Sequence, residues 1–135
     1  MILDVINVST GARAELLDIT ARLEAWVSAR RLREGVLTVL CPHTTAGLTV
    51  NEGYDPDVAA DIVTTLTRLV PRDRGYRHAE GNSDAHILST LVGTSVRVLV
   101  RGGRLDLGRW QAVFFCEFDG PRARECRLAF EGEAG

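Results

Sequence analysis

The chain has three histidines, His43, His78 and His86, and each falls in a polar stretch near the end of an expected element. An imidazole titrates near neutral pH and is the commonest metal ligand, so these rings are the first candidates for chemistry. His78-Ala79-Glu80-Gly81-Asn82-Ser83-Asp84-Ala85-His86 gathers two imidazoles, two carboxylates, an amide and a hydroxyl into one short segment. His43 follows an apolar run that ends at Pro42, on the kind of strand edge where a scaffold presents functional groups. Three imidazoles converging from separate elements would leave a divalent ion, zinc or magnesium, with an open fourth position, as catalytic metal sites have.

Other groups suit an anion. Thr44 and Thr45 beside Gly47 offer hydroxyls and backbone N–H groups, and Asn82-Ser83 would lie at a helix N-terminus, where free amides and the dipole favour negative charge. Arg122 and Arg124 open a strand face that continues with Cys126, Leu128 and Phe130, so each guanidinium needs a carboxylate or a phosphate. Glu117 or Asp119 is the protein's own answer, and a bound phosphate ester is the functional one. Both stand open for Arg122, whereas Arg124 reads as structural. Asn51, Glu52 and Asp55 follow a short strand, where they end it and begin the next helix.

The elements that must position these groups follow from periodicity. Residues 2–8 form an opening strand. Leu16, Ile19, Leu23 and Trp26 recur at helical steps and predict an amphipathic helix over 14–30. Strands are expected over 36–41 and 48–50. Asp55-Pro56-Asp57 supplies a cap, a first-turn proline and a first-turn acid for a helix over 56–69. A short helix should start at Ser83 and be stopped by Gly93, and a strand over 95–100 should turn at Gly102-Gly103. Residues 110–118 are apolar on both faces and read as a central strand, followed by a turn at Asp119-Gly120-Pro121 and a returning hairpin strand over 122–130. Without strict alternation of strand and helix, this is an α+β fold: a mostly antiparallel sheet with two or three helices in a single compact domain over 1–135.

Composition narrows the function classes. The 135 residues carry 45% hydrophobic and 25% charged side chains, enough apolar content for a real core. A net charge of −2 provides no field to attract nucleic acid or anionic lipid. All sixteen basic residues are Arg, so a Schiff-base lysine and a phosphate-loop lysine are excluded. Cys41, Cys116 and Cys126 are odd in number and lack C-x-x-C spacing; they read as buried apolar thiols in a reducing cytoplasm. No membrane span or signal peptide is expected.

Four ordered blocks resemble the YjbQ-like family, whose members carry the name secondary thiamine-phosphate synthase. They are Pro42-His43-Thr44-Thr45-Ala46 with Asn51-Glu52; His78 to Ser83 with Ala85-His86; Ser95 through Gly108-Arg109-Trp110-Gln111; and Asp119-Gly120-Pro121-Arg122. Arg109 stands where the family usually has Thr, and Leu99 lies near a common family proline. The resemblance implies an α+β homotrimer with the motif residues in a cleft at or near the subunit boundary. It also implies a low-level activity joining hydroxymethylpyrimidine pyrophosphate to thiazole phosphate with release of pyrophosphate.

Combined with the residue reading, this gives His43, His78 and His86 a divalent metal, with Glu80, Glu52 and His78 as catalytic or proton-accepting groups. Thr44, Thr45, Asn51, Asn82, Ser83 and Arg122 would hold a small phosphorylated metabolite. A metal-free scheme would set a protonated histidine against the leaving group. The rivals are a non-catalytic trimer that binds a phosphometabolite and a metal-dependent hydrolase.

Overall fold

In the computed structural model, which describes residues 1–135, the elements run β1 (Ile2–Ser9), β2 (Glu15–Asp18), α1 (Thr20–Ala29), β3 (Leu32–Leu40), β4 (Ala46–Glu52), α2 (Pro56–Leu69), α3 (Ser83–Val92), β5 (Ser95–Arg101), β6 (Arg104–Leu105), β7 (Gln111–Glu117) and β8 (Ala123–Ala134). All strand pairs are antiparallel. They form one sheet in the order β1-β8-β3-β5-β6 and a second in the order β2-β7-β4. The fold is α+β with three helices, as the sequence predicts. None of them is long and apolar enough to cross a membrane.

β7 shows why two sheets and a helical layer stack as they do. Its alternate residues Val113 and Phe115 enter a core shared with Leu37 and Val39 of β3, Leu128 of β8, and Leu23, Trp26 and Val27 of α1. The residues between them, Ala112, Phe114 and Cys116, enter a second core with Ala85 and Leu88 of α3. A strand whose two faces are both apolar can be buried only between layers, which is where β7 lies. Burying each large side chain fully contributes roughly 1.5–3 kcal/mol.

The helix over 56–69 forms at those residues. Asp55 accepts the Asp57 N–H at 2.9 Å, which satisfies one of the free amides at the helix start. Gly93 stops α3 at φ +99°. The hydroxyl of Ser89 on α3 donates to the Ala46 carbonyl at 2.6 Å, and a Cβ on Gly47 would lie 2.5 Å from the Gly93 carbonyl oxygen. Gly47 is therefore required for α3 to lie against β4.

Two expectations are corrected. The helix over 14–30 begins only at Thr20; Glu15–Asp18 is β2, paired with β7. Leu16 and Leu17 pack into opposite cores, a strand alternation that the spacing of Leu16 and Ile19 disguises as a helical step. Asp18 accepts the Thr20 N–H at 2.9 Å where the strand gives way to the helix. The second correction concerns 122–130, which is not the return of a hairpin. β8 pairs with β1 and β3, because β2 and β4 already flank β7. The corner at 119–121 thus carries the chain from one sheet to the other.

Candidate functional site

The corner between the sheets brings together the ends of three segments. β3 stops before Pro42, and its pairing with β8 ends at Leu40 opposite Arg127. Past that point the Glu125 N–H finds its acceptor in a side chain, the His43 Nε2 at 3.0 Å. That bond fixes His43 with Nε2 unprotonated and the ring hydrogen on Nδ1. Burial, and then the charge of Arg124, lower its pKa. The imidazole is accordingly neutral near neutral pH.

Beneath His43 lies a buried ion pair. Glu117, at the end of β7, is wholly buried, and Arg124 on β8 is nearly so. Arg124 donates from Nε to Glu117 Oε1 at 2.9 Å and from Nη2 to Oε2. Glu117 also accepts the Thr10 hydroxyl at 2.7 Å and the N–H groups of Phe118 and Asp119, each at 3.0 Å. Burial opposes the charged carboxylate, but the hydrogen bonds from Arg124 and Thr10 outweigh it and hold the pKa below the ordinary value. Arg124 Nη2 reaches on to the Thr45 hydroxyl at 2.9 Å, tying the β3–β4 loop to the corner. The sequence reading of Arg124 as a structural pair is what the structure shows.

Asp119 is a second hub. Its Oδ2 accepts Asn82 Nδ2 at 2.9 Å and Arg122 Nη2 at 3.0 Å, and its Oδ1 accepts Arg13 Nη1 at 3.0 Å. Arg13 Nη2 in turn reaches Asp84, in the first turn of α3, at 3.2 Å. Burial again opposes the charge, and the bonds from Asn82 and Arg122 overcome it, so the Asp119 pKa is lowered. Arg122 also donates from Nε to the Asp119 carbonyl at 2.7 Å. Its Nη1 has no partner in the protein, and the side chain is about half exposed (53%).

These groups enclose a cavity of about 360 Å³, walled by residues 42–45, by Glu80, Asn82 and His86, and by Asp119, Arg122 and Arg124. Pro42 is its only lining residue without a polar side chain. Of the residues expected from sequence, His43, Thr44, Thr45, Glu80, Asn82, His86 and Arg122 meet here. His78 and Ser83 face an adjoining recess with Tyr76 and Ile87. There the His78 ring meets His86 edge-on at 5.4 Å and lies 3.6 Å from Glu80.

Asn51 and Glu52 are elsewhere, opposite Ala112 and Gln111 at the far end of β4. At a rise of roughly 3.3 Å per residue, that end is about 20 Å from the His43 end of the strand.

The donor set for a three-imidazole metal centre does not fit as arranged. His43 has spent its basic nitrogen on the Glu125 N–H, and no three His, Cys, Asp or Glu side chains are placed to share an ion. The thiols give no alternative nucleophile, since all three are buried and burial pushes Cys116 and Cys126 up to about 12. Among the lining residues the uncommitted donors are Arg122 Nη1, the His43 Nδ1–H and the Thr44 hydroxyl, and the uncommitted acceptors are the buried Asn82 Oδ1, which has no partner, and the Glu80 carboxylate.

Arg13 escaped the sequence reading, and so did its pairing with Asp84, which was read only as one carboxylate of the His78–His86 segment. Arg13 lies among small residues at what reads as the head of a helix, and its partners are distant along the chain. The Gly120 N–H bond to the Arg13 carbonyl, at 3.0 Å, and the Arg13 bond to Asp119 bring it to the corner. Nothing in the local sequence signals this.

A family model described as "UPF0047 protein YjbQ-like" matches residues 4–133. A UPF0047 protein of Methanocaldococcus jannaschii is 44% identical over 127 residues, covering 94% of this chain and 92% of that protein. The UPF0047 protein YugU of Bacillus subtilis is 44% identical over 131 residues, covering 96% and 99%. Among solved structures, a hypothetical protein from Aeropyrum pernix superposes with a TM-score of 0.93 at 38% identity, covering 98% of this chain and all of its own.

Proposed function

Because the chain belongs to the UPF0047 family of YjbQ-like proteins, we propose that it binds a small phosphorylated metabolite in the polar cavity and has a low-level thiamine-phosphate synthase activity there. The observation that carries the reading is the wall of polar side chains, broken only by Pro42, on which Arg122 presents an uncommitted guanidinium edge beside Thr44 and the His43 Nδ1–H. Such a wall suits phosphate oxygens, which accept charge-assisted hydrogen bonds from a guanidinium fork. In the proposed reaction the thiazole nitrogen attacks the pyrimidine methylene carbon. The carbon–oxygen bond breaks, and pyrophosphate leaves with the electron pair. Arg122 and the Thr44 hydroxyl stabilise the charge gathering on the departing oxygens.

Pro42 is the wall's one residue without a polar side chain, so the cavity offers the two aromatic rings little apolar surface and the phosphates carry most of the binding energy. Weak turnover follows.

The test is calorimetric titration of the protein with inorganic pyrophosphate, together with a turnover assay on hydroxymethylpyrimidine pyrophosphate and thiazole phosphate. Saturable binding with thiamine phosphate formed supports the proposal. Binding without product assigns the chain to non-catalytic metabolite capture. Inorganic phosphate released without a second substrate, only on adding zinc or magnesium, assigns it to metal-dependent hydrolysis and requires His43 to give up its bond to Glu125.

The homotrimer belongs to the same proposal. Leu3, Val5, Leu40 and Leu99 are exposed on the outer face of the larger sheet, where Val5 and Leu40 both register with Arg127. A second copy covering that face would remove this apolar area from water. Sedimentation showing a monomer at working concentration would sink it.

A further inference from the structure

The end of the smaller sheet away from the cavity carries two large exposed aromatics, Tyr54 (77% exposed) and Trp110 (47%). Their rings meet edge to face, with centroids 5.0 Å apart. The pair is rigidly mounted. The Gly53 N–H donates to the Trp110 carbonyl at 2.9 Å, and Glu52 registers with Gln111. A Cβ on Gly53 would come within 2.4 Å of the Ala112 Cβ, so the strand ends approach too closely for any other residue at 53. The loop before Trp110 is pinned as well, by the Gly108 N–H on Gln111 Oε1 at 2.8 Å.

A recess of about 480 Å³ opens beside the rings, bounded by Glu52, Tyr54, Asp55, Pro56 and Trp110. Each carboxylate there has one oxygen committed locally. Glu52 Oε2 accepts the Asp55 N–H at 3.3 Å, and Asp55 Oδ1 accepts the Asp57 N–H at 2.9 Å. The other oxygens are uncommitted. Together Glu52, Asp55 and Asp57 outweigh the partial positive charge at the start of α2.

One cation already uses this platform. The Arg109 guanidinium lies 4.8 Å from the centre of the Trp110 ring, and it makes no ion pair with any carboxylate.

We infer that Tyr54, Trp110, Glu52 and Asp55 form a second binding site, about the length of β4 from the polar cavity, for the quaternary or alkyl ammonium group of a small organic cation. Arg109 is its tethered internal competitor. Aromatic faces attract cations through the ring quadrupole, flanking carboxylates add charge, and two rings at an angle make two walls of a cage. Neither the phosphate chemistry of the cavity nor the packing of the sheet uses these side chains.

The experiment is titration with tetramethylammonium chloride at constant ionic strength, followed by tryptophan fluorescence. Trp26, the other tryptophan, is buried and donates to Asp4 at 2.7 Å, so the signal reports on Trp110. Saturable quenching is expected, with Arg109→Ala tightening it by about two- to fivefold and Glu52→Gln weakening it by a similar factor. Tyr54→Phe should keep the site and Tyr54→Ala should lose it, both with unchanged circular dichroism.

Equal binding of the uncharged isostere 3,3-dimethylbutanol would overturn the inference, since the recess would then be merely apolar. No saturable response in the Arg109→Ala protein would overturn it too. So would self-association abolished by Tyr54→Ala without any cation effect, which would make the pair an interface between copies. Pyrophosphate binding is read separately, so failure here leaves the proposal for the cavity untouched.

Discussion

His43 Nε2 accepts the Glu125 N–H at 3.0 Å, which makes the ring a structural acceptor on one edge and a donor toward the cavity on the other. The bond has a pH signature. Since the folded-state pKa is lowered below 6.5, the unfolded chain takes up a proton first as pH falls. Stability from this residue should be fully present above that value and decline as pH drops through the folded pKa. Urea unfolding measured from pH 7.5 to about 5 should show the decline, and His43→Gln should flatten it. His43→Ala leaves the Glu125 N–H unpaired and should cost about 1–3 kcal/mol near neutral pH.

Glu117 and Arg124 should be far more costly to separate than to remove together. Arg124→Met strands a buried carboxylate, and about 3–5 kcal/mol should be lost in denaturant unfolding. Glu117→Leu combined with Arg124→Met should lose less than the two single variants summed. A strictly additive result would mean that the pair does not act as a unit.

Arg13 bridges Asp84 and Asp119, so its loss should be felt at the start of α3. Arg13→Ala should speed amide exchange at Ala85 and His86, whose N–H groups bond the Asn82 carbonyl. Exchange at the centre of β8 should be unaffected. Uniform acceleration across the chain would indicate a global loss of stability instead.

Arg122 should dominate anion affinity. Arg122→Ala should weaken pyrophosphate binding by roughly ten- to a hundredfold, the range for a charge-assisted bond. Arg122→Lys should recover only part of it, because a point charge does not reproduce the fork. The Asp119 and Glu117 carboxylates have lowered pKa values, so the cavity should keep its shape until the pH falls through the carboxylate range.

The strand and helix periods were legible where one face repeats cleanly. α2 carries its own cap and proline, and β7 shows two apolar faces, so both could be read in place. Glu15–Asp18 could not, because a short strand feeding two cores has the same spacing as a helical turn. The direction of β8 was hidden for a different reason. A turn signal at Asp119-Gly120-Pro121 states that the chain reverses, and only the occupancy of both edges of β7 states which sheet it joins.

At the site, local density pointed to His86, Glu80 and Asn82. The short-range pairs of the hubs, Glu117 with Arg124 and Asp119 with Arg122, were within reach of the sequence, whereas Arg13 with Asp84 and Asp119 joins residues more than seventy positions apart. Asn51 and Glu52 join the histidines only through the block they share with His43 in the family resemblance, and the extended β4 between them holds the two ends apart.

The floor of the cavity is the crossing of the two sheets, stapled by Glu117 and Arg124, and that floor cannot part without separating the layers of the whole molecule. Residues 80 and 82 border the cavity from a separate segment, which the Asn82 amide ties to Asp119 and the Asn82 carbonyl ties to the first turn of α3. Under the proposed metabolite binding, loosening that segment by Asn82→Ala should shorten a guest's residence while the stapled floor beneath it stays unaltered.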